Sequence, residues 1–353
     1  MPVTVIGFVR FLTLLTLFVN VLLLSSTHQA LANATLDKVI LRQHLLCSTA
    51  GQLYAGRDYK KTGDISGFDR DFCRAIAAAV LKNSSAIKFV FLGTSNRFQA
   101  LQEKAVDVLI SSTTWTLTRD ASLGLHFAAI NFYDGQGFVA HKSFGIHRLA
   151  DLKTLKKKAT VCVEKNTTTQ INVKNYIKTH NLPIEIVEFN VFEELRYAFV
   201  SNRCDFFTAD QSFLIEFLVS ETPSPEDYVI LEDIISKEPL SLVVRDDDAN
   251  WFNIVRWTVF ALIQAEELGI SSTNADTLKR SGTVDQKRLL GTLPGVGKPL
   301  GLDDEWIYRI IKSVGNYGEI FARNFGAKTP YNLKRGANRL WTQGGLLYAP
   351  PFN

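Results

Sequence analysis

With 353 residues, the chain is long enough for two domains of ordinary size. It is 46% apolar and 21% charged, the balance of a folded globular protein rather than a disordered one. Its 39 basic and 35 acidic residues leave a net charge of +4, too even a balance for a nucleic-acid surface, and Lys153, Lys156, Lys157 and Lys158 read as a solvated helix face.

The first 34 residues differ from the rest. Arg10 precedes an apolar stretch from Phe11 to Leu24, followed by Ser25-Ser26-Thr27-His28-Gln29 and then by small residues that include Ala32 and Ala34. A charged start, an apolar centre shorter than the ~20 residues of a bilayer span, and alanines at the −3 and −1 positions predict an export signal over residues 1–34. Cleavage is expected before Thr35 or before Asn33; a retained membrane anchor is the alternative. No later segment stays apolar over the ~18 residues that a span requires, so the mature protein is expected to be soluble outside the cytoplasm.

Beyond the signal, short β-type runs alternate with helical ones. Strands are predicted at Leu45–Cys47, Ile87–Leu92, Val106–Ile110, Ala159–Glu164, Ile184–Phe189, Cys204–Thr208 and Ser241–Val244. Phe68, Phe72, Ile76 and Val80 recur every four residues and predict a helix, with Asp69 placed to cap its start. Phe98 and Leu101 mark a shorter helix, as do Leu195 and Phe199. Phe252, Val255, Val259 and Leu262 line one face of a long helix begun near Asn250. Trp306, Ile307, Ile310 and Ile311 are spaced for burial in a helical tail beyond Gly269. Alternating strands and helices predict parallel sheets covered on both faces. The alternation runs through two blocks joined at Tyr133–Val139 and again at Ser236–Leu242, so the chain is expected to enter a second lobe and return to the first.

Several chemical motifs fail on their spacing. Gly291–Lys298 has one residue too many for a phosphate loop, and Pro299 stands where a Ser or Thr would hold magnesium, so a surface turn is expected. Gly135-Gln136-Gly137 lacks the third glycine of a dinucleotide fingerprint and reads as a hinge. There is no GxSxG elbow. The six histidines and four cysteines show no metal-ligand spacing, and neither metal nor cofactor is expected.

Three stretches collect polar groups at strand ends, the edge where open α/β sheets bind ligands. Ser111–Asp120 follows the strand Val106–Ile110 with hydroxyls and Arg119, whose planar fork suits a carboxylate. The plainer reading is a polar turn. Thr167 and Thr168 follow the strand Ala159–Glu164; they read as a helix cap, or as part of an anion site at a helix N-terminus. Asp210 lies just past another strand, as a cap or as a partner for an ammonium group.

These residues resemble the polar amino-acid-binding proteins of ABC importers, close to their general L-amino-acid-binding branch. The likeness is carried by GFDRDFCRAIAAAV (67–80), TTWTLTRDASLGL (113–125), FYDGQGF (132–138), IISKEPL (234–240), IVRWTVFALIQAEELG (254–269), YRIIKSVGNYGEIFARN (308–324) and LWTQGGLLYAPPF (340–352). The resemblance implies a two-lobed periplasmic-binding-protein fold of α/β class, type II, which closes like a flytrap. Its lobes are joined by two hinge strands, with a C-terminal helical extension. Expected boundaries are 1–34 signal, 35–138 first lobe, 139–237 second lobe, and 238–353 return to the first lobe. It further implies a periplasmic, non-enzymatic monomer that captures free L-amino acids and passes them to an inner-membrane ABC permease with its ATPase. Arg119 would grip the ligand α-carboxylate with Ser112 and Thr114 beside it. Thr168 would meet the same carboxylate from the second lobe, and Asp210 would hold the α-ammonium. Asn166 stands where the family has glycine, a position where asparagine tolerates a left-handed backbone. The loop Ala50–Gly56 also departs from the family, and Tyr54 is a candidate pocket wall.

The alternatives are a sensor that presents its ligand to a receptor and a dehydratase of the cyclohexadienyl type, which the same fold hosts. A dehydratase needs a general acid in the cleft, and no carboxylate beyond Asp210 falls near the predicted pocket. For an exported chain, an even cysteine count favours disulfides over free thiols. The expected pairs lie within lobes: Cys47 on the first strand with Cys73 on the next helix, and Cys162 with Cys204 on two strands of the second lobe.

Overall fold

A computed structural model describes residues 34–49, 67–154, 158–222 and 224–352. Two five-stranded sheets form, both mixed, each with helices packed against it. The first contains β1 (Leu45–Thr49), β2 (Ile87–Phe91), β3 (Val108–Thr114), β4 (Leu125–Asp134) and β10 (Glu238–Arg245) in the order β2-β1-β3-β10-β4. The second contains β5 (Gln136–His141), β6 (Ala159–Glu164), β7 (Ile184–Phe189), β8 (Phe206–Asp210) and β9 (Tyr228–Ile230) in the order β7-β6-β8-β5-β9. Each sheet has three parallel strands, and each is extended by an antiparallel strand lying next to a connection between the sheets: β10 on return, β5 on entry. This is the two-lobed type II architecture.

The connections touch. Only Gly135 separates β4 from β5, and a Cβ there would lie 2.5 Å from Ile234 Cγ2 and 3.1 Å from the Ser236 carbonyl. A side chain at 135 would have to displace the exposed Ile234 side chain and crowd the Ser236 carbonyl of the returning segment, so glycine suits the close crossing. The Ile235 amide donates to the Gln136 carbonyl at 3.0 Å, tying the two crossings together.

The strand runs Ala159–Glu164 and Ile184–Phe189 match their predicted limits, while others shift. β3 begins two residues later than expected and runs on to Thr114, so Ser111–Thr114 are strand rather than turn. β4, β5 and β9 went unpredicted, β5 because its residues were read only as a link.

Helix α1 (Ala34–Arg42) packs Leu36 and Val39 into the first core. Helix α2 (Phe68–Leu81) is not capped by Asp69 as expected: its N-cap is Gly67 at φ 147°, and no side chain caps it. Nor is α2 apolar on one face alone. Ala75, Ala77, Ala78 and Ala79 are buried together with Phe72 and Ile76, because the helix lies between the sheet and α11 (Trp306–Val314). Small alanines let the two helices approach closely. As predicted, Trp306, Ile307, Ile310 and Ile311 are all fully buried. Helix α8 (Ala249–Glu267) packs on β4, capped by Asp248, whose carboxylate accepts from the Trp251 amide at 2.9 Å.

The C-terminal extension seals the exposed edge of the first sheet. The Asn338 side chain accepts from the Tyr133 amide at 2.7 Å and donates to the Tyr133 carbonyl at 2.9 Å, and Tyr317 of α12 (Tyr317–Phe325) donates to the Asn131 carbonyl at 2.8 Å. β4 is the last strand of its sheet, and these bonds satisfy backbone groups that an unpaired edge would expose.

Gly291–Lys298 is a turn, as expected. The Gly295 and Gly297 amides donate to the Asp304 carboxylate at 3.0 and 2.8 Å, so a side chain of the chain itself fills the cradle. Both disulfides form as predicted, Cys47–Cys73 between β1 and α2, and Cys162–Cys204 beside β6 and β8. No helix among the described residues is long and apolar enough to cross a membrane. The expected export signal, apart from Ala34, lies outside the described residues.

Candidate functional site

A cavity of about 280 Å3 lies between the two sheets, at the C-terminal ends of β2, β3, β6 and β8. The volume is at the small end for ligand pockets, suited to one amino acid rather than a large cofactor. Ser112, Thr114, Arg119, Thr168 and Asp210 all line it. The structure thus brings together five of the six residues singled out in the sequence; Tyr54 lies outside the described residues.

Ser112 and Thr114 stand at the C-terminal end of β3. Ser112 sits at φ 41°, an unusual backbone for a residue with a side chain. Asp69 holds it there: its Oδ2 accepts from the Ser112 amide at 3.0 Å and its Oδ1 from Asn131 Nδ2 at 3.0 Å. This is the work Asp69 does instead of capping α2. Such strain is kept where the surroundings over-determine it, commonly at ligand clamps.

Arg119 lies on α4 (Leu117–Ser122), whose start Thr116 caps by accepting from the Arg119 amide. One guanidinium nitrogen donates to the Thr114 carbonyl at 2.9 Å, and the fork lies 5.3 Å from the centre of the Phe98 ring. Among the described residues no carboxylate pairs with it, so its remaining N–H groups are left for a ligand. Burial lowers its pKa, while Glu238 and Asp210 counteract that from nearby.

From the other sheet, Thr167 caps α5 (Thr168–His180), accepting from the Gln170 amide at 3.1 Å. Its predecessor Asn166 takes the left-handed backbone expected of it, at φ 61°. Thr168 is therefore the first helical residue, and its amide is one of the donors a helix leaves unpaired at its start.

Asp210 ends β8, and α7 (Gln211–Glu221) follows it directly. Its carboxylate does not cap that helix. Asp134 does so, accepting from the Ser212 amide at 3.2 Å and from the Gly135 amide at 2.8 Å. No hydrogen bond to the Asp210 carboxylate forms among the described residues. Burial raises its pKa well above 3.8, and the neighbouring Asp134 and Glu238 raise it further, against Arg97 and Arg119. A buried carboxylate beside other acids is stabilised by an incoming cation.

Glu238, the first residue of β10, lies in the Ser236–Leu242 link and is a site residue that the sequence pattern does not single out. It is buried and accepts four hydrogen bonds. Thr114 and Thr168 donate to one oxygen at 2.7 and 3.2 Å; Asn172 at 2.8 Å and Ser236 donate to the other. These donors come from β3, from α5 on the other side of the cleft, and from the crossing between the sheets. The hydroxyl protons of Thr114 and Thr168 are thereby directed to Glu238, and their oxygens stand 3.4 Å apart across the cleft.

The sequence reading also missed Glu164, at the end of β6. Thr94, beyond β2 on the other sheet, donates its hydroxyl to Glu164 Oε1 at 2.6 Å. Arg97 of α3 (Arg97–Gln102) and Glu193 of α6 (Phe192–Val200) line the same cavity. The expectation of no carboxylate beyond Asp210 is thus corrected: Glu164 and Glu193 also line the cavity. The signal was available, since Glu164 ends a parallel strand just as Asp210 does. No cluster of His, Cys, Asp and Glu fit for a metal occurs among the described residues.

A sequence profile of the bacterial extracellular solute-binding proteins, family 3, matches residues 50–273. The general L-amino acid-binding periplasmic protein AapJ of Rhizobium johnstonii is 41% identical, covering 91% of this chain and 94% of its own. The glutamate/glutamine/aspartate/asparagine-binding protein BztA of Rhodobacter capsulatus is 42% identical, covering 95% and 98%. A Brucella ovis ABC transporter/periplasmic binding protein, solved with glutathione bound, superposes with a TM-score of 0.86 at 44% identity, covering 90% of this chain and 99% of that one.

Proposed function

The chain belongs to the bacterial extracellular solute-binding proteins of family 3, and from that premise we propose that it captures free L-amino acids in its interlobe cleft and delivers them to an ABC transporter permease in the membrane. The observation that carries the reading is the pair Arg119 and Asp210. Arg119 stands on α4 beside the first sheet and Asp210 at the end of β8 in the second; both line one cavity, and among the described residues neither is hydrogen-bonded to a group of opposite charge.

Arg119 takes the ligand α-carboxylate, and the Thr168 amide at the start of α5 meets it from the other side. Ser112 and Thr114 shape that end, one held by Asp69 and the other by Glu238. Asp210 takes the α-ammonium, which compensates a region crowded with Asp134 and Glu238. Closure excludes water, and charge-assisted bonds strengthen in the drier site. In this reading residues 35–135 and 238–353 form one lobe and 136–237 the other, the first crossing falling at Gly135 rather than after 138, and the chain is exported to the periplasm as a monomer after loss of residues 1–34. Tyr54 remains a candidate contact to the ligand side chain.

The protein acts without catalysis. Glu164 supplies the second carboxylate that a dehydratase would need, so a direct test includes those substrates. A thermal-shift screen against the twenty amino acids, glutathione, prephenate and arogenate decides between the readings. A true ligand at 100-fold excess over Kd adds about 2.7 kcal/mol of stability. Shifts confined to amino acids support amino-acid capture over the dehydratase reading; shifts with prephenate or arogenate and none with amino acids would contradict it.

A further inference from the structure

We propose that Glu164, oriented across the cleft by Thr94, makes the cavity favour ligands whose side chain ends in a hydrogen-bond donor over those whose side chain ends in a carboxylate. This rests on the amino-acid reading of the cleft and adds to it the class of side chain that is taken.

Arg119, Asp210 and the start of α5 engage the groups common to all amino acids, so the rest of the wall faces the variable part of the ligand. Among the described residues, Thr94, Ser95, Arg97, Glu164, Asn190 and Glu193 supply polar groups of that wall. Thr94 fixes the Glu164 carboxylate by a 2.6 Å bond to one oxygen. No other hydrogen bond reaches that carboxylate among the described residues, so its second oxygen is an acceptor without a donor. Burial raises the Glu164 pKa and the neighbouring Glu193 raises it further, while the Thr94 hydroxyl and Arg97 favour the ionised form and pull it back. Arg97 is almost wholly buried and donates to the Ser111 carbonyl at 2.8 Å, so part of its fork is already committed to β3. Among the described residues, two carboxylates stand against one guanidinium on this wall. A carboxamide or ammonium finds an acceptor there; a carboxylate meets repulsion.

Glutamine and glutamate test the idea, because they differ only in the terminal NH2 and O−. Asparagine and aspartate repeat the test with a shorter side chain. Calorimetric Kd values are measured for the intact mature protein, for Glu164→Gln and for Thr94→Val, each checked for parental thermal unfolding. The parent should bind the amide of each pair about tenfold or more tightly than the acid, the worth of a hydrogen bond to an ionised acceptor. Glu164→Gln should shift that ratio toward the acid by about tenfold. Thr94→Val keeps the charge but loosens its aim, and should reduce the ratio less. A parent that prefers the acid, or that binds other amino acids but no amide, overturns the proposal. So does a ratio unchanged by Glu164→Gln while both ligands still bind. Binding of no amino acid at all would instead contradict the underlying reading of the cleft.

Discussion

Thr114 on the first sheet donates its hydroxyl proton to Glu238 at 2.7 Å, and Thr168 on the facing helix donates to the same oxygen at 3.2 Å. One buried carboxylate therefore fastens both walls of the cleft beside the crossing strands. Glu238→Gln tests this directly. A carboxamide offers one acceptor oxygen and one donor nitrogen, so whichever way it turns, two of the four donors lose their partner. The variant should lose about 1–3 kcal/mol of stability, measured by denaturant unfolding. Parental stability would show that the four bonds do not fasten the lobes.

Asp210 makes ligand binding pH-dependent. In the empty protein, burial beside Asp134 and Glu238 raises its pKa well above 3.8. A bound ammonium favours the ionised form and lowers the pKa again. Binding near the raised value therefore releases a proton, and affinity should climb as the pH rises through that range. For folding of the empty protein the sign is opposite. The folded state holds a proton that the unfolded chain has lost, so this group's contribution is greatest below 3.8 and fades as the pH rises through the raised value. Calorimetry in buffers of different ionisation enthalpy should detect proton release in the parent and none in Asp210→Asn.

Much of the fold could be anticipated from the sequence, and the gaps have physical causes. Ala159–Glu164 alternates little and is rich in β-branched residues, the pattern of a strand buried on both faces. Helix α2 was predicted as a helix, but periodicity cannot show that α11 covers its second face, since that burial comes from more than 200 residues away. β5 escaped because glycines in a strand look like a turn until the close crossing at Ile234 is known. Arg119 and Asp210 stood out because charged residues at strand ends are informative on their own. Glu238 did not, because its role depends on Thr114, Thr168 and Asn172 converging from three distant stretches.

The expected cleavage site has a structural consequence at the mature N-terminus. The Thr35 nitrogen lies 2.8 Å from Asp248 Oδ2, and Thr35 is buried. Cleavage before Thr35 would place a free α-ammonium on that carboxylate as a buried ion pair. N-terminal sequencing of the exported protein should begin at Thr35. Removing the partner by Asp248→Ala should then cost about 3–5 kcal/mol, since the charge is left uncompensated. A mature protein that begins at Met1 would contradict the signal itself.

The two disulfides close loops of 26 and 42 residues within separate lobes. Each is expected to stabilise the fold by about 3–4 kcal/mol on the chain-entropy estimate. Thiol titration of the denatured, unreduced protein should find no reactive thiols, and reduction should lower the unfolding midpoint. Four titratable thiols would contradict the pairing.

The central claim is that Arg119 and Asp210 hold the groups common to every ligand. The most direct measurement is calorimetry on folded Arg119→Ala across the amino acids that bind the parent. Loss of the guanidinium leaves a buried carboxylate without its main partner, which typically costs about 3–5 kcal/mol, or roughly two to four decades in affinity. The account predicts a loss of that size for every ligand, with their ranking unchanged; parental affinity in Arg119→Ala would contradict it.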